Sequence, residues 1–167
     1  MNAPEVDVEE LLRRLDAVEG RLERHSSHRP PGGLTDPDEP SGERWEWGQV
    51  WAHLAEFVPY WMAQMRLVLD GKGKDPTPFG RVKTDSGRID AIERDRARPT
   101  AELWRRLEVG LGEFRRFLRT LPPEAWSKEG SHPTLGTMGM DRMADRFVVA
   151  HLEEHADQLD GLTARHA

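Results

Sequence analysis

Two histidines four positions apart, His151 and His155, sit in the segment VVAHLEEHADQL. On a helix turning about 100° per residue, such a pair points within about 40° of one direction, with Cβ atoms about 5–6 Å apart. Phe147 and Val148 on one side, and Leu159 and Leu162 on the other, turn that direction toward a core. Neutral imidazoles on an apolar face carry nitrogens that need partners, and one shared cation at about 2.0–2.1 Å satisfies both. The bland alternative is two unrelated buried histidines, each bonded to a carbonyl or a water. A third ligand separates the two readings, and the candidate is His53, set among Trp47, Val50, Leu54 and Phe57. Projection places His53 about 100° from Leu54, on the flank of that helix's apolar stripe, as suits a site wedged between two helices near the bundle surface. Three histidines with one or two open positions is the composition of a catalytic metal centre, whereas structural sites fill every position with protein. Glu154, beside the pair, and Glu56, one turn past His53, are candidates for acid/base or ligand-orienting work; glutamates at such positions are more often simply solvated.

The remaining histidines read differently. His25 and His28, at the start of a Pro-rich stretch, and His166, next to the C-terminus, are expected to face solvent, while His132, before Pro133, is placed to order a loop. The chain has no cysteine, which removes disulfides and thiolate ligands and leaves histidine and carboxylate to bind any metal. Its 24 basic residues alternate with 30 acidic ones at a net charge of -6, so no single-signed stripe suits nucleic acid. The N-terminus carries charges throughout instead of a signal's apolar run, and no stretch reaches the ~18 apolar residues of a membrane span, so the expectation is a cytoplasmic protein.

Four elements must position these groups. At 167 residues the chain fits one domain, residues 1–167, able to bury roughly 70% of its unfolded surface. Apolar residues recur at three-and-four spacing over about 6–24, 46–69, 100–121 and 140–162, giving four amphipathic helices of roughly 19 to 24 residues, each about 28 to 36 Å long. Thr100 is the expected N-cap of the third, and Gly110 and Gly112 weaken its middle. Pro59 falls inside the second and predicts a kink near Ala55. Residues 25–42, with four prolines and three glycines, read as a linker. The connection 71–99, with a short helix around Ile89 and Ile92, reads as a packed flap. No segment alternates, so no strands are expected. Trp47, Trp51 and Trp61 fall at core spacing, and Trp45 and Trp126 are candidates for a pocket mouth. The fold class is therefore all-α, a four-helix bundle with long connections after helices one and two.

Three segments carry a resemblance: RWEWGQVWAHLAEFVPYW (44–61), LPPEAWSKEGSHPTLGTM (121–138) and VVAHLEEHADQL (148–159). Together, from about Gly42 onward, they resemble the DinB/YfiT-like superfamily, which includes the N-terminal domains of mycothiol-dependent enzymes. The resemblance implies a four-helix bundle with a three-histidine divalent metal site, zinc or nickel, frequently in a homodimer, with His53, His151 and His155 as ligands. It further implies a hydrolase, or a transferase in which the metal activates a small cellular thiol such as mycothiol or bacillithiol, acting on a small-molecule substrate. The long linker after helix one and the long connection after helix two depart from that pattern.

Three functions compete at this stage. One is a metal-dependent enzyme that activates water or a thiol. A second is a non-catalytic module of a stress response that binds metal or a small ligand. The third is a purely structural bundle.

Overall fold

The computed structural model describes residues 7–39, 41–72 and 74–165; His166 lies outside them. Helix α1 (Val8–Ser26) begins where Asp7 Oδ1 accepts the Glu9 N–H at 3.0 Å and buries Leu11, Leu12, Leu15, Val18 and Leu22. Its acidic first turn and basic last turn complement the helix dipole. Helix α2 (Trp47–Asp70) runs through Pro59 and stops at Gly71, whose φ of 55° ends a helix at little steric cost for glycine. Strand β1 (Thr77–Pro78) and helix α3 (Ser86–Asp95) follow, then α4 (Thr100–Thr120). A short 3-10 turn (Pro123–Ser127) leads into strands β2 (Glu129–His132) and β3 (Gly136–Gly139). The last rod is continuous: α5 (Met140–Met143), a π-helical stretch (Ala144–Val149) and α6 (Ala150–Arg165).

The four long rods form the bundle. Both α1 and α2 pack on α4 and on the last rod, which puts α1 and α2 at opposite corners. Two helices consecutive in sequence but diagonal in space need a chain that crosses the end of the bundle. The Pro/Gly-rich linker supplies that crossing, while α3 packs along α2. Trp51, Phe57, Phe114 and a set of leucines fill the centre without exposure, each such side chain contributing about 1.5–3 kcal/mol by leaving water. Gly110 contributes through packing, since a Cβ there would lie 3.4 Å from Val58, so this glycine brings α4 against α2. Gly48 is tighter still, because a Cβ would stand 2.0 Å from the Arg96 carbonyl oxygen.

Four expectations need correction. A three-stranded sheet exists, with β1 parallel to β2 and β2 antiparallel to β3; its strands of two to four residues are too short to show alternation. Gly130 holds it against the bundle, since a Cβ there would meet Phe79, Val68 and Met143 within 3 Å. His25 is helical and only 7% exposed, not solvated: its Nε2 lies 2.6 Å from Asp160 Oδ1 and its ring meets the Trp47 edge. Thr100 is the first residue of α4, not its cap, and its hydroxyl accepts the Trp47 indole N–H at 3.0 Å. Trp126 belongs to the core and not to a pocket mouth. His28 is exposed, as expected.

Candidate metal centre

Helix α2 and helix α6 pack side by side, and the contact brings His53 to His151 and His155. Each ring offers one nitrogen, and the three atoms lie within 4.8 Å of one another. His53 Nε2 and His151 Nε2 are 3.2 Å apart, about the spacing two nitrogens take when they share one tetrahedral cation at roughly 2.0–2.1 Å. The flank position expected for His53 becomes interior because Trp45, between the linker and α2, folds over it. Trp45 stacks on His155 at 5.6 Å and meets His53 edge-on at 5.0 Å, leaving His53 2% exposed. Phe57 stacks on His151 from below at 4.1 Å.

The far nitrogen of each ring settles which tautomer is present. His53 Nδ1 donates to Glu56 Oε1 at 2.8 Å, His151 Nδ1 to the Phe147 carbonyl at 3.3 Å, and His155 Nδ1 to Gln158 Oε1 at 2.7 Å. Carboxylate and main-chain carbonyl oxygens only accept, so His53 and His151 carry the proton on Nδ1 and present Nε2 lone pairs, and the Gln158 amide oxygen orients His155 in the same sense. His155 Nε2 is buried without a hydrogen-bond partner. Burial first, then the charge of the neighbouring rings, pushes His53 and His151 well below the ordinary histidine range. Burial likewise lowers His155 to about 4. Protons therefore do not fill the gap at neutral pH, and three converging lone pairs fit a divalent cation.

Two of the three acceptors sit three residues after their histidine, in His53-Leu-Ala-Glu56 and His155-Ala-Asp-Gln158. That spacing puts acceptor and ring on one helix face and is readable from sequence. The acceptor of His151 comes from the π-helical stretch, a wide turn that recurs at functional sites and leaves the helical periodicity of the sequence unmarked. Glu56 is itself held: both its oxygens accept from Arg81 Nη2, at 2.5 and 2.8 Å, and both side chains are 8% exposed. Burial raises the Glu56 carboxyl, and the Arg81 bonds work against that shift. The Tyr60 ring lies 3.8 Å from the Arg81 guanidinium and completes the stack. Arg81 comes from the 71–99 connection, and nothing in the local sequence pairs it with Glu56.

Next to the histidines opens a cavity of about 1030 Å³ that His53 and His151 line, with Trp61 and Phe147 as its apolar floor. Glu154 lines it from an exposed position, and desolvation raises its carboxyl above the usual range. A smaller cavity of about 200 Å³, which shares His53, His151 and Glu154 with the first, is lined by Trp45 and His155, so Trp45 does line a pocket. His132 is not a ligand. Its Nδ1 accepts from the Thr134 and Leu135 N–H groups and its Nε2 donates to the Arg81 carbonyl, each at 3.2 Å, which ties the β2–β3 turn to the Arg81 loop.

No family model and no curated protein matches the chain, but solved structures do. YfiT from Bacillus subtilis, described as a probable metal-dependent hydrolase with an unusual four-helix bundle topology, superposes with a TM-score of 0.72 at 18% identity, over 99% of this chain and 93% of that one. The chain has the DinB/YfiT-like fold. A mycothiol-dependent maleylpyruvate isomerase shares this fold at TM-score 0.71 and 16% identity, over 95% of this chain. The match spans 63% of the isomerase's length. The colibactin self-resistance protein ClbS, solved with double-stranded DNA, is similar at TM-score 0.66 and 12% identity, over 94% of this chain and 95% of that one. Across the DinB/YfiT-like fold the helices are therefore alike at very low identity. No helix among the described residues is long and apolar enough to cross a membrane.

Proposed function

We propose that this protein is a metal-dependent enzyme in which His53, His151 and His155 hold one divalent cation, zinc or nickel, beside a substrate cavity. One observation carries the reading: three imidazoles, each oriented by an acceptor on Nδ1, turn bare Nε2 lone pairs toward a common point. A cation bound there supplies Lewis acidity, lowering the pKa of a water or a small cellular thiol. The protein's own groups do the rest. Glu56 fixes the His53 tautomer, and Arg81 fixes Glu56. Glu154, with a raised carboxyl in the cavity wall, is placed to take a proton from the nucleophile. Trp61 and Phe147, stacked at 4.1 Å, offer the electrophile an apolar surface. The description of YfiT as a probable metal-dependent hydrolase and the mycothiol dependence of the isomerase support the two versions, water or thiol.

The test is turnover by zinc- or nickel-loaded protein of two electrophiles, an aryl ester without thiol and an aryl halide with mycothiol, bacillithiol or cysteine. Ester hydrolysis that is lost in Glu154→Gln identifies water as nucleophile. Aryl transfer that rises with thiol identifies a transferase. Loaded protein that turns over neither, at any thiol concentration, contradicts the enzymatic reading and leaves a ligand-binding module.

A further inference from the structure

The chain carries a net charge of -6, yet basic side chains outnumber acidic ones on the wall of the larger cavity. Three of the basic groups are already matched: Arg81 to Glu56, Lys83 to Asp38, and Arg88 to Glu43 at 3.4 Å. Asp145, also on the wall, is matched to Arg14 of α1 at 2.9 Å. That leaves Arg142 and Arg146, whose guanidinium groups form no ion pair among the described residues. They stand four residues apart on the last rod, one on α5 and one in the π-helical stretch, in the turns just before His151. The wall's two carboxylates outside any ion pair are the exposed Glu39 and Glu154, the latter beside the histidines and within reach of the Arg146 charge.

Apolar groups share this wall. Val82 and Leu135 are 38% and 44% exposed and line the same cavity, above the Trp61 and Phe147 floor. Side chains of that kind at a mouth cost free energy in contact with water, and an apolar portion of a ligand removes it. Guanidinium groups outside an ion pair recognise carboxylate and phosphate oxygens through paired N–H donors. We infer that the substrate of this cavity is a small organic anion: Arg142 and Arg146 bind its carboxylate or phosphate, and Val82, Leu135, Trp61 and Phe147 cover its apolar part. This assignment of substrate class rests on the reading of the cavity as a substrate site, but it requires no metal for binding.

The experiment uses metal-free protein and isothermal titration with phenylsuccinate, phenyl phosphate and the uncharged phenylsuccinamide. The expected result is binding of at least one anion about 10-fold or more tighter than the amide, and loss of that preference in Arg142→Ala/Arg146→Ala. Metal content, measured separately, should be the same in the double variant and in the parent protein. Equal affinity for anion and amide, no binding of either anion, or an unchanged double variant would overturn the inference, whatever the metal content. So would tighter binding of a short DNA duplex than of both small anions. Failure of the metal reading shows elsewhere, as absent metal with anion binding intact.

Discussion

His151→Ala is expected to leave the protein nearly metal-free, with content falling from about one ion per chain to under about a tenth of that after equal loading. Removing His151 takes away one of the three bare lone pairs and leaves His53 Nε2 without its 3.2 Å neighbour. Losing even an outer hydrogen-bond partner typically costs 10–100-fold in metal affinity, and a ligand itself should cost more. His132→Ala is the matched control. It deletes a buried imidazole whose nitrogens are committed to the Thr134 and Leu135 N–H groups and the Arg81 carbonyl, so metal content should not change. Elemental analysis of both variants after loading with zinc and with nickel makes the comparison. Equal content in His151→Ala and the parent protein would mean that the ion sits elsewhere.

Glu56→Ala should be the most damaging single change to stability in the site. The carboxylate takes two bonds from a guanidinium that is itself buried, and it also orients the His53 ring. Deleting one partner of a buried ion pair strands the other charge in a poor solvent, at a cost of about 3–5 kcal/mol. Urea denaturation of metal-free protein should show that loss as a lower midpoint. In protein that still folds, zinc affinity should also drop by about 10–100-fold, because His53 loses the acceptor that fixes its tautomer. Glu56→Gln separates the two effects: its amide oxygen can still accept from Nδ1, so metal affinity should recover more than stability does. A Glu56→Ala protein with the parent's midpoint would contradict the assignment of the Arg81–Glu56 pair as a buried support.

The residues explain which parts of this structure were legible beforehand. The four bundle helices announce themselves because each has a long, periodic stripe, and the period that reveals α6 also turns His151 and His155 inward. His53 was legible only by its neighbours; the stacked Trp45 that buries it stands between the linker and α2, where there is no period to read. The hairpin around His132 is not legible because its strands, Glu-Gly-Ser-His and Gly-Thr-Met-Gly, carry no apolar alternation. The prolines after His25 point it to the linker, whereas α1 continues through Ser26 and delivers its ring to Asp160 on α6. Arg81 lies 25 residues from Glu56, and only the folded connection 71–99 makes them partners. Local chemistry could be read from spacing; what depended on loops crossing the bundle could not.

X-ray absorption at the metal edge of zinc-loaded protein tests the three-histidine centre most directly. The expected spectrum has four light ligands at about 2.0–2.1 Å, with outer-shell scattering from three imidazole rings. A first shell of oxygen alone, or imidazole scattering from fewer than three rings in the parent protein, would contradict it.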